Sequence, residues 1–399
     1  MNVLISGASI GGPALAYWLN RYGYQVTVVE RASELRPGGY KVDLRGATVE
    51  VASRMGIMAD VRAHSTDMQD ETFVDKNNKP LVTMPADFFA GRTEGDDEIM
   101  RGDLSRILYD RTKDDVEYLF DDSLTELVDG ADGVKVTFEK AGTRHFDLVV
   151  GADGLHSNVR TLAFGDESRF LHEMGYYACI FSTPNHLGLD RSERLYVEPG
   201  RTTNVYSTSQ MTDAKALFLF SSPKLSYDHR DVAAQKKIVA DAFAGIGWEV
   251  PRLLESMRTA PDFYFDSLSQ IRLDSWSRGR VTLVGDAGYG PSLASGQGTG
   301  LALIGAYVLA GELAAAGGDH VVGFANYEKE MRAFVEQNQK LGLQTVKQMV
   351  APSKAAIRMQ TLMLRVMPKL PGSKAIMRKV TQIVHDAANG IALKPYVGE

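Results

Sequence analysis

The chain has 399 residues, 44% hydrophobic and 24% charged, which allows a large buried core and more than one domain. A formal net charge of −6 at pH 7 offers no basic field for nucleic acid. The single cysteine, Cys179, excludes an intrachain disulfide framework, and its neighbours Ala178, Ile180 and Phe181 make it a core residue of a protein in a reducing cytoplasm. No apolar run is expected to reach membrane length, and a strand beginning at Asn2 leaves no room for a signal peptide.

In chain order, Asn2–Ser6 reads as a strand, Gly7 to Gly12 as a tight turn and Pro13–Arg21 as a helix. Gln25–Val29 is a second strand, ending in Glu30 and Arg31. This is a βαβ dinucleotide fingerprint: Gly7 and Gly12 hold two of its glycine positions, Ser9 stands at the third, and Glu30 falls where a ribose-binding carboxylate belongs. Serine is small enough to let the backbone approach a pyrophosphate. Pro37-Gly38-Gly39 breaks the chain, and Lys41–Arg45 resumes as an extended segment in which Asp43 and Arg45 face either a cofactor edge or solvent. Helical spacing follows over Ala47–Met58 and again over Arg101–Lys113. Arg101 opens the second helix, the wrong end for a cation in the helix dipole, and so points to an anionic partner.

Between those helices, Glu71 to Asp97 reads as two strands and a charged loop. Val116–Phe120 is a further strand, and Gly133–Glu139 with His145–Val150 forms a hairpin about Lys140 to Thr143. The hairpin runs into Asp153-Gly154-Leu155-His156-Ser157, where Asp153 can bind a hydroxyl or cap the helix beginning near Ser157. His156 reads as structural. Strand-like pieces over Gly175–Phe181, Arg194–Val197, Thr203–Thr208 and Ala216–Ser221 suggest an antiparallel sheet. Its candidate ligand-facing residues are Arg201, Tyr206, Gln210, Phe218, Phe220 and Phe265. Val232–Phe243 and Trp248–Thr259 are helical.

Val281 to Val284 is a short buried strand ending in Gly285-Asp286. Five glycines follow between Gly288 and Gly300, before an Ala/Leu-rich helix beginning near Leu301. A carboxylate at a strand end and bare N–H groups at a helix start suit hydroxyl and anionic groups of a cofactor. The last part is helical, over Phe324–Gln348, Ala355–Met367 and Ser373–Asn389. Its apolar residues (Leu362, Met363, Val366, Met367, Met377 and Val380) would cap the core or close a cavity. No metal-ligand spacing is apparent.

Together the three motifs resemble, in order and separation, those of the FAD-dependent aromatic hydroxylases of the para-hydroxybenzoate hydroxylase family. The first turn is similar to that family's GxGxxG, Asp153 to Arg160 to its DG motif, and Gly285-Asp286-Ala287 with Pro291 and Gly296-Gln297-Gly298 to its GD motif. Gly38-Gly39, Asp43 to Gly46, Glu98 to Leu104, Pro184 to Asp190, and Gln270-Ile271 with Trp276 look closest to the tetracycline-inactivating monooxygenases. Two departures stand in the GD motif, Tyr289 for a histidine and Gly300 for an asparagine.

The resemblance implies an α/β fold in which a Rossmann-like FAD-binding domain (1–70, 98–165 and 271–322) interleaves with a mixed or antiparallel-sheet substrate domain (71–97 and 166–270). C-terminal helices (323–399) follow. It implies FAD held by Gly7, Ser9, Gly12, Glu30, Arg31, Asp43, Arg45, Arg101, Asp153, Asp286, Pro291, Gly298 and Gly300. It further implies NADPH as reductant, dioxygen as co-substrate and a monomeric cytoplasmic enzyme with no membrane partner. The flavin carries the chemistry and no side chain is expected to be catalytic. The expected substrate is a polycyclic phenol or enol such as a tetracycline, met by Tyr206, Gln210 and Phe220. A flavin-dependent oxidase or dehydrogenase, another polyketide or rifamycin hydroxylase, and a non-catalytic ligand-sequestering protein are the alternatives.

Overall fold

The computed structural model describes residues 1–36 and 38–396; Pro37, and the side chains of Met377 and Val380, lie outside the described residues. Two sheets organise it. The first has six strands in the spatial order Ser277–Arg278, Val281–Leu283, Leu148–Gly151, Asn2–Ser6, Gln25–Glu30 and Glu117–Phe120. All its pairings are parallel except that of Ser277–Arg278 with Val281–Leu283. Its central strands are continuous apolar runs because helices cover both faces.

The three glycine-bearing motifs leave the carboxyl ends of three neighbouring strands of this sheet. Gly7 follows Asn2–Ser6, Asp153 follows Leu148–Gly151, and Asp286 follows Val281–Leu283. Strand ends of an open α/β sheet are where ligands bind. Segments 146 and 133 residues apart in sequence, from Gly7 to Asp153 and from Asp153 to Asp286, thus reach one place.

The second sheet has seven strands, in the order Tyr264–Ile271, Leu171–Thr183, Ala214–Ser221, Arg201–Ser207, Ser192–Glu198, Asp70–Val74 and Pro80–Pro85. It is antiparallel apart from the parallel pairing of Asp70–Val74 with Ser192–Glu198. A two-stranded ribbon, Lys41–Leu44 with Asp97–Met100, is the third β unit near the site.

Several expectations change. The helix read as Ala47–Met58 is two helices, Ala47–Arg54 and Met58–Ala63, separated at Gly56, whose φ of +71° ends the first. The second arm of the expected hairpin splits at Asp147. Thr143–Phe146 stays antiparallel with Gly133–Phe138, while Leu148–Gly151 joins the parallel sheet. Asp147 marks the change by accepting the Asn2 backbone N–H at 2.6 Å. Leu124–Gly130 and Tyr264–Ile271 are strands that sequence reasoning missed.

Among the described residues one helix, Gly298–Ala315, is long and apolar enough to cross a membrane, contrary to expectation. It is hydrophobic all round because it is a core helix, packed between Gly11–Arg21 and His320–Met349. Cys179 is fully buried as expected, its thiol pKa pushed up by burial. Among the described residues, none from the C-terminal helices Lys354–Val366 and Ser373–Ala388 lines the cavity at the strand ends. Leu364 and Met367 pack on Phe73, Met84 and Phe88 at the edge of the seven-stranded sheet, and Leu362, Met363 and Val366 are exposed.

Candidate functional site

The site begins at the first turn. Gly7 has φ +108°, and a Cβ there would lie 2.5 Å from the Ala152 carbonyl oxygen. A Cβ on Gly12 would lie 1.8 Å from the Gly7 carbonyl oxygen, so the helix Gly11–Arg21 starts hard against the turn with its first N–H groups uncovered. Ser9 has its own purpose: its Oγ accepts from Arg101 Nη1 at 2.7 Å and its carbonyl from Ser105 Oγ at 3.0 Å. Glu30 accepts the N–H of Ala8 and of Ala32, both at 2.9 Å. Ala8, Ser9, Glu30, Leu35, Arg101 and Ser105 line a small recess. Arg31 is exposed and stands outside it.

Arg101 is brought there by the close crossing of Gly38-Gly39 with Gly102. A Cβ on Gly102 would strike the Gly38 carbonyl at 2.7 Å, and one on Gly39 would come within 3.1 Å of Arg101 Nε. The guanidinium therefore lies between the first turn and Asp286, close enough for its charge to act on that carboxyl. Arg45 is buried, ion-paired with Asp43, and its guanidinium lies against Gly296. Burial disfavours the Asp43 charge, but Arg45 and Arg92 outweigh it and hold the carboxyl below its usual range. Arg92 extends the network to Glu98 at 2.5 Å, and Lys41 joins Glu193 at 2.5 Å.

Asp153 is occupied structurally. It accepts Ser6 Oγ at 3.2 Å, Ser157 Oγ and the Val159 N–H at 3.0 Å, tying the first strand to the helix Asn158–Phe164. Ser157 caps that helix. Arg160, with no exposed surface, donates to the carbonyls of Ala287 and Leu155 and to Glu167, which locks the second motif to the third.

Asp286 differs. Among the described residues no hydrogen bond reaches its carboxylate, and the residue is exposed where it lines a cavity of about 140 Å³. Surrounding protein raises its pKa by desolvation, opposed by Arg101 and Arg160. The same cavity is lined by Tyr40, Lys41, Asp43, Tyr264, Asp266, Ser269, Ser292, Gly298 and Thr299. Pro291 sits behind the lining, its carbonyl held by Gln270 Nε2 at 3.2 Å. Gly300 has Thr48 Oγ1 2.5 Å from where a Cβ would be, so the asparagine position is filled from another helix. Tyr289 is buried, donates nothing to the cavity, and hydrogen-bonds Tyr327 at 2.8 Å. A Cβ on Gly305 would lie 2.0 Å from its hydroxyl, so tyrosine and glycine fit as a pair.

The expected substrate residues lie elsewhere. Phe220 belongs to an aromatic core, stacked with Tyr177 and Phe265, because its side of the strand faces helices rather than the cavity. Tyr206 is one layer back, its ring under Lys41 Nζ at 4.9 Å. Gln210 lines a second cavity, of about 270 Å³, with His64, Met100, Asp103 and Lys215. Arg201 donates to the carbonyls of Ala242 and Pro199 and is absent from the main cavity wall. Tyr40, Tyr264 and Asp266 were missed. The signal for the last two was a polar alternation in Tyr264–Ile271 that resembles a loop until it is paired with Leu171–Thr183. Asp266 accepts from His156 Nε2 at 2.9 Å, and Glu167 bonds Nδ1 at 2.8 Å. Burial opposes the His156 charge, yet the two carboxylates raise its pKa to about 10.

The residues fit an FAD. Two buried donors, Arg45 Nε and Gln297 Nε2, have no protein partner beside the glycine-rich helix start. At Gly7 and Gly12 an added Cβ would strike backbone carbonyls, so only glycine allows the turn to be this tight. Removing the free carboxylate tests the fit: Asp286→Ala is expected to weaken FAD binding by about 1.5–3 kcal/mol, roughly ten- to hundredfold. Fluorescence titration of apoprotein with FAD measures it, and an unchanged affinity would take Asp286 out of the cofactor site.

A family model for an FAD binding domain matches residues 1–341. An uncharacterized protein of Mycobacterium tuberculosis is 50% identical over 341 residues, covering 85% of this chain and 92% of its own. A flavin-dependent monooxygenase from an unknown prokaryotic organism is 44% identical over 342 residues, covering 86% and 88%. The crystal structure of the tetracycline destructase Tet(51) superposes over 99% of both chains with 34% identity and a TM-score of 0.87.

Proposed function

The chain belongs to the FAD-binding-domain family and is a class A flavoprotein monooxygenase, and we propose that it oxygenates a polycyclic, hydroxyl-rich enol or phenol, a tetracycline first among these, with NADPH as reductant. FAD, when bound, accepts the reducing electrons and activates dioxygen for transfer of one oxygen atom to a small-molecule substrate. In this reading the turn from Gly7 to Gly12 and the helix behind it hold the pyrophosphate, and Glu30 the ribose. Asp286 and the start of Gly298–Ala315 hold the flavin end, with Arg101 and Arg45 along it. The six-stranded sheet then serves the cofactor and the seven-stranded sheet the substrate.

The composition of the cavity wall carries the substrate reading. Its polar half is made of carboxylates and hydroxyls, among them Asp43, Asp266, Asp286, Tyr40, Tyr264, Ser269 and Ser292, set beside apolar Val42, Leu155, Leu268 and Leu293. Among the described residues its one cation is Lys41, which is already paired with Glu193 and Glu98. A small benzoate needs a planar bidentate clamp, usually arginine, and none lines this wall. A ligand rich in O–H donors meets acceptors instead, and the likeness to Tet(51) over the whole chain points the same way. Buried walls exclude water and orient the electron-rich carbon within reach of the flavin end.

Incubation with a tetracycline, NADPH and air is expected to give a product one oxygen heavier, or a fragment of it, by mass spectrometry. Rapid turnover of a monocyclic phenol with no tetracycline consumed would overturn the substrate and leave the monooxygenase standing.

A further inference from the structure

We propose that His156, His229 and Asp266 form a binding site for a borderline divalent transition-metal ion, of the zinc or nickel class, between the cavity wall and solvent. One ligand atom from each lies within 4.8 Å of the others. His156 Nε2 and Asp266 Oδ2 are already 2.9 Å apart. A four-coordinate ion with bonds of about 2.0–2.2 Å sets its donors roughly 3.2–3.6 Å apart. The pair therefore opens by a few tenths of an ångström, and His229, exposed in the segment before Val232–Ala242, closes by about 1 Å.

The surroundings are those of a metal site rather than of a chance pair. Glu167 bonds His156 Nδ1 at 2.8 Å and is itself held by Arg160, so the ring is oriented with Nε2 toward Asp266. A carboxylate on the far nitrogen is the usual support for a metal-bound histidine. Asp266 is fixed from its other oxygen by the Ser267 N–H at 2.7 Å, which leaves Oδ2 facing the imidazole. The rings of His156 and His229 stand 4.2 Å apart, so both imidazoles reach the same place beside Asp266. Two imidazoles with one carboxylate suit zinc or nickel and not magnesium or calcium.

The site would tie three separate stretches together: the turn after Gly154, the segment before Val232, and the strand Tyr264–Ile271 whose Asp266 lines the cavity. Bound metal thus fixes the His229 segment beside the cavity that takes the substrate.

Calorimetric titration of the FAD-loaded protein with zinc chloride at pH 8 tests this. One equivalent is expected to bind, with His229→Ala weakening it about tenfold or more while leaving the flavin spectrum unchanged. Glu167→Gln should weaken it by about tenfold through loss of orientation. Magnesium should give no heat at the same concentrations. The proposal is overturned if zinc fails to bind, if it binds His229→Ala equally well, or if magnesium substitutes for it.

Discussion

Gly12→Ala is expected to give a protein unable to retain FAD. The added methyl would lie 1.8 Å from the Gly7 carbonyl oxygen, well inside any contact that real Cβ atoms make. Neither side can yield easily. The Gly7 N–H is held by the Val29 carbonyl at 2.8 Å, and the Ala152 N–H by the Ser6 carbonyl at 2.8 Å, so the turn is fastened to strands on both sides. The helix Gly11–Arg21 is buried against Gly298–Ala315 and cannot slide away. Ordinary overpacking costs about 1–3 kcal/mol, and a backbone clash falls at or beyond the upper end. That strain lands on the N–H groups meant for the pyrophosphate, so FAD affinity should fall by on the order of a hundredfold. Gly11→Ala is the internal control, since its methyl would find only ordinary contacts of 3.7–3.8 Å. Purified Gly11→Ala should be yellow and Gly12→Ala colourless. If Gly12→Ala reconstitutes with FAD as the natural chain does, the turn is not the cradle.

The contrast between these neighbours bears on what the sequence could tell. Strand, turn and helix signals around Gly7, Asp153 and Asp286 are local, and local patterns survive in one dimension; all three motifs were placed on the right elements. Their meeting is a property of strand order, which nothing local encodes. The two departures from the GD pattern were legible as departures but not as compensations. Tyr289 needs Gly305 and Tyr327, and Gly300 needs Thr48, each distant in sequence. The layer that an aromatic residue faces was not legible. Phe220 and Tyr206 looked like ligand contacts because aromatic residues on strands suit a cavity and a core equally. Which they line depends on the layer beyond: helices Val232–Ala242 and Val250–Thr259 cover the face that carries Phe220, while Lys41 lies over Tyr206 on the other face. Asp266 went unnoticed for the opposite reason: a polar strand with a buried carboxylate breaks the usual pattern, and such breaks mark sites.

Arg160→Met should have the largest effect on stability. The guanidinium is wholly buried and donates to three acceptors: the Ala287 carbonyl at 2.9 Å, the Leu155 carbonyl at 2.6 Å and Glu167 at 2.5 Å. Methionine keeps much of the length and apolar volume, so packing is largely retained and the lost donors are what is measured. Two carbonyls inside the protein are then left with one donor fewer, at about 1–3 kcal/mol each, and Glu167 loses its buried counter-ion. Breaking a buried pair from one side costs about 3–5 kcal/mol, which we take as the expected loss. Because Ala287 follows Asp286 directly, the variant should also loosen the flavin end of the site. Arg160→Lys should recover little, since one ammonium cannot span three acceptors set for a planar fork. Exposed Arg144, paired with Glu117, supplies the comparison: Arg144→Met should cost under about 1 kcal/mol. Urea unfolding of the apoproteins, followed by circular dichroism, separates these outcomes. A stability for Arg160→Met within about 1 kcal/mol of the natural chain would mean that water can replace the guanidinium, and that the second and third motifs are not locked through it.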